Sequence, residues 1–186
     1  MSAWTEVAAR LLADSEARPS SFTVSTTGVR PAGIELLADT EFGRSGIGKI
    51  QYSLMSMNPS RRAALIPVGG SLENCGPRLD EYARKTGQPI KYNIPLIDGM
   101  NDSDEEAHEF ARFIGAKPEL RRAKISTFNP FPGVNMAPTP PDRVARFVDI
   151  LRAEGVDVKM FFGDVDPQIF ASCGQLRAGV ENILRR

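Results

Sequence analysis

The chain has 186 residues, 41% hydrophobic and 25% charged, which fits one globular domain with a real core and excludes a second large domain, a disordered chain and a collagen-like repeat. Its 23 Lys and Arg balance 23 Asp and Glu, so no net positive field gathers nucleic acid, and its two cysteines, Cys75 and Cys173, exclude a three- or four-cysteine cluster within the chain and a disulfide framework. No apolar run approaches the roughly 20 residues that span a bilayer, and Glu6 interrupts any signal-peptide pattern, so the expectation is a soluble, cytoplasmic protein without a membrane partner.

Residues 2–13 place Trp4, Val7, Ala8, Leu11 and Leu12 at helical spacing, an amphipathic helix ended by Arg18-Pro19; residues 1–18 are therefore set apart from a main domain over 19–186. Ser21 to Ser25 is a short β-branched and aromatic strand, followed by Gly28, Pro31 and a helical stretch from Ile34. The glycine-rich run Phe42 to Lys49 reads as a loop into a second strand, Ile50 to Leu54, and a short helix spans Arg61 to Ile66 before Pro67. A helix over Leu72 to Lys85 precedes strand three, Ile90 to Ile97, with Pro95 near its end. Ser103 with Glu106 three residues on forms a capping box ahead of a helix whose face is Ala107, Phe110, Ala111 and Ile114. Ala123 to Phe128 is strand four, Thr139-Pro-Pro-Asp142 caps a helix carrying Val144, Phe147, Val148 and Leu151, and Gly155 stops it. Val156 to Phe162 is strand five and Gly174 to Leu184 a final helix.

Five strands alternating with helices imply an α/β fold with a parallel sheet of right-handed crossovers, either doubly wound or a segment of a β/α barrel. In both, chemistry sits beyond the carboxyl ends of the strands. Ser25 and Thr26 follow strand one, Ser53 and Ser56 strand two, and Asn129 strand four, so these compact polar groups share one end of the sheet. They suit the polar edges of a small molecule, and equally they suit local turns.

Other signals are weaker. Gly43 to Lys49 matches the first seven places of a phosphate-binding loop, but Ile50 stands where Ser or Thr should hold magnesium, and a strand follows where a helix is needed. The acids Asp98, Asp102, Asp104, Glu105 and Glu106 lack the alternation and central glycine of a calcium loop and are explained by helix capping. His108, the sole histidine, excludes a multi-histidine zinc site. Cys173 precedes the last helix, where a helix N-terminus favours a thiolate and a small buried side chain is the plainer alternative.

Five blocks in order, Phe22-Thr-Val-Ser-Thr-Thr-Gly28, Ser53-Leu-Met55, Gly99-Met-Asn-Asp102, Phe128-Asn-Pro-Phe-Pro-Gly133 and Ala171-Ser-Cys-Gly-Gln-Leu176, resemble the radical S-adenosylmethionine RNA methyltransferases. The likeness, from about Ser21 to Leu176, is greatest to the enzymes that methylate adenine C2 in 23S ribosomal RNA and transfer RNA, and to the related C8 methylase of chloramphenicol and florfenicol resistance. The resemblance implies that Ser25, Ser53 and Asn129 contact S-adenosylmethionine and that Cys173 is the methyl-carrying cysteine. Met55 stands where the family has His, Arg62 matches a family arginine, and Gly163 to Phe170 departs from the family's Arg-Gly-Asp-Asp-Ile-Asp approach to the cysteine.

The family's Cys-x3-Cys-x2-Cys loop and the Gly-Glu segment after the next strand precede the matched region and are not in this sequence, nor is the family's resolving cysteine. Cluster ligation needs three thiolates, so no iron–sulfur cluster is expected from this chain alone. The implied fold is an incomplete radical S-adenosylmethionine barrel of about five strands, the last two-thirds of the whole. Its open edge calls for a cover: the helix around Trp4, a second copy in a homodimer, or a separate cluster-bearing partner chain. The implied function is a shortened methyltransferase-like protein, inactive alone or completed by a partner. The alternatives are a non-catalytic module holding S-adenosylmethionine, a nucleoside or RNA, and a fragment of a longer methyltransferase. Neutral net charge disfavours RNA.

Overall fold

The computed structural model describes residues 21–130 and 133–161. Their strands form a single five-stranded sheet in the order β1-β2-β3-β4-β5, every neighbouring pair parallel. The strands are β1 Phe22–Thr26, β2 Gly48–Ser53, β3 Ile90–Leu96, β4 Arg121–Thr127 and β5 Val158–Phe161. Between them lie α1 Ala32–Ala38, α2 Glu41–Arg44, α3 Pro59–Leu65, α4 Leu72–Thr86, α5 Asp104–Gly115 and α6 Pro141–Ala153. Sequential order with helical crossovers is the arrangement expected of an incomplete β/α barrel, and the sheet is open.

Strand alternation sorts the side chains. Ile50, Tyr52, Ile90, Tyr92, Ile94, Ala123 and Ile125 are buried in one core with Ile34, Phe42, Leu79, Tyr82, Phe110, Phe147 and Leu151 from the helices. The opposite face carries Lys49, Gln51, Ser53, Lys91, Asn93, Lys124 and Ser126 instead. A fully covered parallel sheet buries both faces in apolar residues. Here one face is apolar and the other polar, as a barrel interior that holds a ligand would be.

Several local expectations hold for identifiable reasons. Ser103 caps α5, its Oγ accepting from the Glu106 N–H at 3.3 Å, and Asp104, Glu105 and Glu106 occupy the first turn. Lys49 lies within β2, so Gly43 to Lys49 does not lead from strand to helix and is no phosphate-binding loop. Part of that run is the short helix α2 rather than loop, and Gly43 is required there because a Cβ would stand 2.5 Å from the Ala38 carbonyl oxygen. Pro95 sits inside β3 without cost to pairing. The Asn93 carbonyl accepts from Leu54 on the β2 side, so Pro95, two residues on, faces the same side beyond the last β2–β3 pair, Ser53 with Asn93.

The N-terminus of α6 differs from expectation. Pro140 occupies its N-cap position with no side-chain cap, and Thr139 instead donates to Asp102 Oδ2 at 3.0 Å. Behind the sheet, Asp80 of α4 is buried and accepts from Arg121 Nε at 3.0 Å, Arg121 Nη2 at 2.7 Å and Lys117 Nζ at 2.7 Å. No helix among the described residues is long and apolar enough to cross a membrane. The expected helix around Trp4 and the final helix over Gly174 to Leu184 lie outside the described residues.

Candidate cofactor site

Ser25 and Ser53 stand on the polar face of adjacent strands. Ser25 pairs in register with Gln51, two residues before Ser53, so the two serines are diagonal neighbours. A side-chain relay crosses the sheet from there: Gln51 Nε2 donates to Ser25 Oγ at 3.4 Å, and Gln51 Oε1 accepts from Lys124 Nζ at 2.8 Å. The Lys124 ammonium lies 4.7 Å from the Phe161 ring centroid. Ser25 is exposed and Ser53 half-buried, so both hydroxyls remain available at the carboxyl ends of their strands.

Asn129 is half-buried, two residues beyond β4 on the same end of the sheet. The other strand-end hydroxyls serve local turns. Thr26 Oγ1 accepts from the Gly28 N–H at 3.0 Å, and buried Ser56 Oγ accepts from the Asn58 N–H at 3.1 Å. Cys173 lies outside the described residues.

The loops around these groups are fixed by two buried side chains. Arg62 donates to the carbonyls of Thr27 at 3.1 Å, Ser53 at 2.7 Å and Gly70 at 2.8 Å, to the Leu54 carbonyl, and to the Tyr52 hydroxyl at 2.7 Å. One guanidinium thus ties the ends of β1 and β2 to the loop before α4. Burial lowers the Arg62 pKa from its usual value, partly offset by Tyr52 and Cys75, while burial pushes the Tyr52 phenol up against the opposing charge of Arg62. Tyr52 is therefore a neutral hydrogen-bonding group. Arg62, matched to a family arginine by sequence, is a positioning residue.

Asn101 is the second tie. Its Oδ1 accepts from the Ile97 N–H at 2.7 Å, and its Nδ2 donates to the carbonyls of Met55 at 2.6 Å and Pro95 at 2.9 Å. Met55, which stands where the family has His, adopts φ 64°, the left-handed region that a side chain rarely occupies. The Asn101 amide holds it there. Asp102 continues the same block, accepting from the Gly99 N–H at 3.1 Å and from Thr139. The block Gly99 to Asp102 is scaffold for the strand ends.

Gly28 ends the first block because the backbone requires it: φ is +78°, and a Cβ would stand 2.5 Å from Cys75 Sγ. Cys75 itself is fully buried on α4, its Sγ 3.7 Å from the Gly28 carbonyl oxygen. It belongs to the helix layer and does not reach the polar face. No group of three or more His, Cys, Asp or Glu able to hold a metal occurs among the described residues. Their donor set does not fit an iron–sulfur cluster.

Sequence reasoning missed Asn93. It sits in register with Ser53 and Lys124, only 9% exposed, and its Oδ1 is buried without a hydrogen-bond partner. Alternation within Ile90-Lys-Tyr-Asn-Ile94 placed it on the Ser53 face and was the available signal. A buried acceptor left unpaired beside two open serines fits a site that takes donors from a small molecule. The hydroxyls and amides present here fit the adenosine and amino-acid groups of S-adenosylmethionine.

No family model matches the chain. Its sequence is 32% identical to the dual-specificity RNA methyltransferase RlmN of Alkalilimnicola ehrlichii over 96% of the chain and 49% of that protein. It is 34% identical to the ribosomal RNA large subunit methyltransferase N of Nitrosopumilus maritimus over 85% of the chain and 43% of that protein. A crystal structure of a radical SAM methyltransferase from Sphaerobacter thermophilus superposes with a TM-score of 0.77 at 30% identity, covering 90% of this chain and 48% of that one. A domain of pyruvate-formate lyase-activating enzyme from Bacteroides vulgatus, 18% identical with a TM-score of 0.56, shares the fold. The chain spans about half the length of the curated relatives it matches, and by sequence and fold it belongs to the radical S-adenosylmethionine RNA methyltransferase family.

Proposed function

We propose that the chain is the cofactor-holding, methyl-accepting portion of an RNA methyltransferase. It binds S-adenosylmethionine at Ser25, Ser53 and Asn129, and a partner polypeptide supplies the iron–sulfur cluster. The observation that carries this reading is the adjacency of Ser25 and Ser53 on the polar face, with their strand ends locked by Arg62.

Bound S-adenosylmethionine supplies an activated methyl group. The chain's own residues do the rest. The serine hydroxyls orient the ligand, Asn129 offers both a donor and an acceptor to a purine edge, and neutral Tyr52 keeps Arg62 in place. Cys173, by its place in the Cys-Gly-Gln-Leu block, is the thiol that accepts a methyl group after losing its proton. The substrate class is RNA, by likeness to the methyltransferases above, and the compartment is the cytoplasm.

Supplied with labelled S-adenosylmethionine and a cluster-bearing partner under turnover conditions, the chain gains one methyl mass that Cys173→Ser lacks. Turnover without that adduct would remove Cys173 from the mechanism. The second reading is a module that holds the cofactor or a nucleoside without chemistry. It draws on the adjacent strand-end serines and the unpaired Asn93 Oδ1, which can hold a ligand whether or not a thiol takes part. It expects binding without a methyl adduct.

A further inference from the structure

Asn93 holds an acceptor that the fold leaves unused. Its backbone is fixed on both sides of β3: the carbonyl accepts from the Leu54 N–H at 2.9 Å, and the residue pairs in register with Ser53 of β2 and Lys124 of β4. The side chain is on the polar face and 9% exposed, and its Oδ1 has no hydrogen-bond partner among the described residues. The ammonium of its β4 neighbour is turned elsewhere, Lys124 Nζ donating to Gln51 Oε1 at 2.8 Å. A buried acceptor in this position calls for a donor from what the face binds.

Topology decides which part of a ligand reaches it. Ser25 and Ser53 belong to β1 and β2, whereas Asn129 follows β4. Neighbouring strands lie about 4.8 Å apart, so a molecule that touches Ser53 and Asn129 together spans about 10 Å and passes over β3. On the polar face of β3, Lys91 pairs with Gln51, one step nearer the amino ends of the strands, and Pro95 has no polar side-chain atom. Asn93, level with Ser53, presents the open acceptor.

S-adenosylmethionine carries its ribose between the adenine and the amino-acid end. With the purine edge at Asn129 and the amino-acid end toward the serines, the ribose lies over β3. The purine amino group is then engaged at Asn129 and the ammonium falls on the β1–β2 side, which leaves the ribose hydroxyls as donors for Asn93. An amide suits a vicinal diol, its oxygen accepting from one hydroxyl while its nitrogen donates to the other.

We propose that Asn93 reads the ribose of S-adenosylmethionine: its Oδ1 accepts from a ribose hydroxyl, and the site therefore prefers the ribonucleoside to its deoxyribose forms. Asn93 lies outside the five sequence blocks that carry the family likeness, so the resemblance assigns it no role. The inference rests on the cofactor reading above and adds a specificity-determining contact to it.

The test is calorimetric titration of the full chain with S-adenosylmethionine and with its 2′-deoxy and 3′-deoxy forms. One of the two deoxy forms binds the wild type about five- to tenfold more weakly than S-adenosylmethionine, the loss of one hydrogen bond to a buried acceptor. Asn93→Leu weakens S-adenosylmethionine by the same factor and no longer distinguishes it from that deoxy form. Its urea midpoint is not below that of the wild type, because an unpaired buried acceptor has been removed. Asn93→Ala gives the same loss of preference without the bulk of leucine, and Asn93→Asp, which keeps an acceptor, retains the preference. A wild type that binds all three ligands equally, or Asn93 variants that keep the full affinity and preference while Ser25→Ala loses affinity, overturns the role of Asn93 and leaves the cofactor site standing. A folded wild type that binds none of the three overturns both.

Discussion

Arg62 and Tyr52 form a buried pair at the carboxyl end of β2: Nη2 donates to the phenolic oxygen at 2.7 Å, and the guanidinium carbon lies 4.7 Å from the ring centroid. Among the described residues no carboxylate joins them. The charge is spread instead over the carbonyls of Thr27, Ser53, Leu54 and Gly70, which no other described side chain satisfies at once. Arg62→Leu removes one hydrogen bond from each of these groups, although Thr27, Leu54 and Gly70 keep the Gly70 N–H, the Ser56 N–H and the Tyr52 hydroxyl as donors, and the lost ties cost about 1–3 kcal/mol. Arg62→Lys retains the charge but not the fork and is expected to recover less than half. Urea denaturation of the three proteins checks this, and an unchanged midpoint in Arg62→Leu would remove Arg62 from its positioning role.

Asp80 makes stability depend on acid. Burial raises its pKa, but hydrogen bonds and charge from Arg121 and Lys117 outweigh burial and hold it below the ordinary carboxylate value of 3.8. A folded-state pKa below the unfolded one contributes stability that is present above about pH 4 and lost as pH falls through the folded value. Asp80→Asn is expected to cost about 3 kcal/mol at neutral pH, because it leaves Arg121 buried without its partner. The gap between wild type and variant closes below pH 4. Denaturation midpoints at pH 7, 5 and 3 measure it, and a gap constant across that range would contradict the assignment.

Gly28 and Cys75 test the packing under the first block. Gly28→Ala forces a side chain into φ +78° and onto Cys75 Sγ, and about 2 kcal/mol of stability is expected to go. Cys75→Ala relieves the clash but not the backbone strain. The double variant should therefore stay less stable than Cys75→Ala alone.

Asn101 should matter out of proportion to its size. Its amide serves three backbone groups at once, so Asn101→Ala strands the Ile97 N–H and the Met55 and Pro95 carbonyls, at about 2–3 kcal/mol. Because Met55 then loses its hold on φ 64°, the strand end next to Ser53 loosens as well. Amide exchange at Leu54 and Ser56 reports this. Protection that survives the substitution would show that Asn101 is not the tie.

The periodic parts of this fold were legible in the sequence. Ile50-Gln-Tyr-Ser and Ile90-Lys-Tyr-Asn alternate so plainly that their strands and faces follow, the helices between strands imply the parallel pairing, and Ser103 with Glu106 marks a helix start that the structure keeps. What stayed hidden depends on contacts between distant residues. Arg62 reaches the Thr27 carbonyl across 35 positions and Asn101 the Met55 carbonyl across 46, and no local pattern announces either. The helix Glu41–Arg44 was read as loop because Gly43 weakens helical propensity, while its need for close approach to Ala38 is tertiary. Thr139 looked like a cap and became a partner of Asp102 for the same reason.

Asn93 is the instructive case for the site. Its strand was found, its face was deducible, and its missing partner could be known only once the neighbours were in place. Ser25 and Ser53 stand out in the sequence because they end strands, which is a property of topology. Thr26 and Ser56 stand out on the same ground but serve turns, because strand ends need turn hydrogen bonds as well as ligands.

An S-adenosylmethionine site at the polar strand ends is measurable by calorimetric titration of the wild-type chain with S-adenosylmethionine, repeated for Ser25→Ala and Asn129→Ala. Saturable binding is expected in the wild type and at least about tenfold weaker binding in each variant, the loss of about 1.4 kcal/mol of hydrogen bonding apiece. A folded wild-type chain that does not bind, or variants that bind as tightly as it does, would show that the strand ends are not that site.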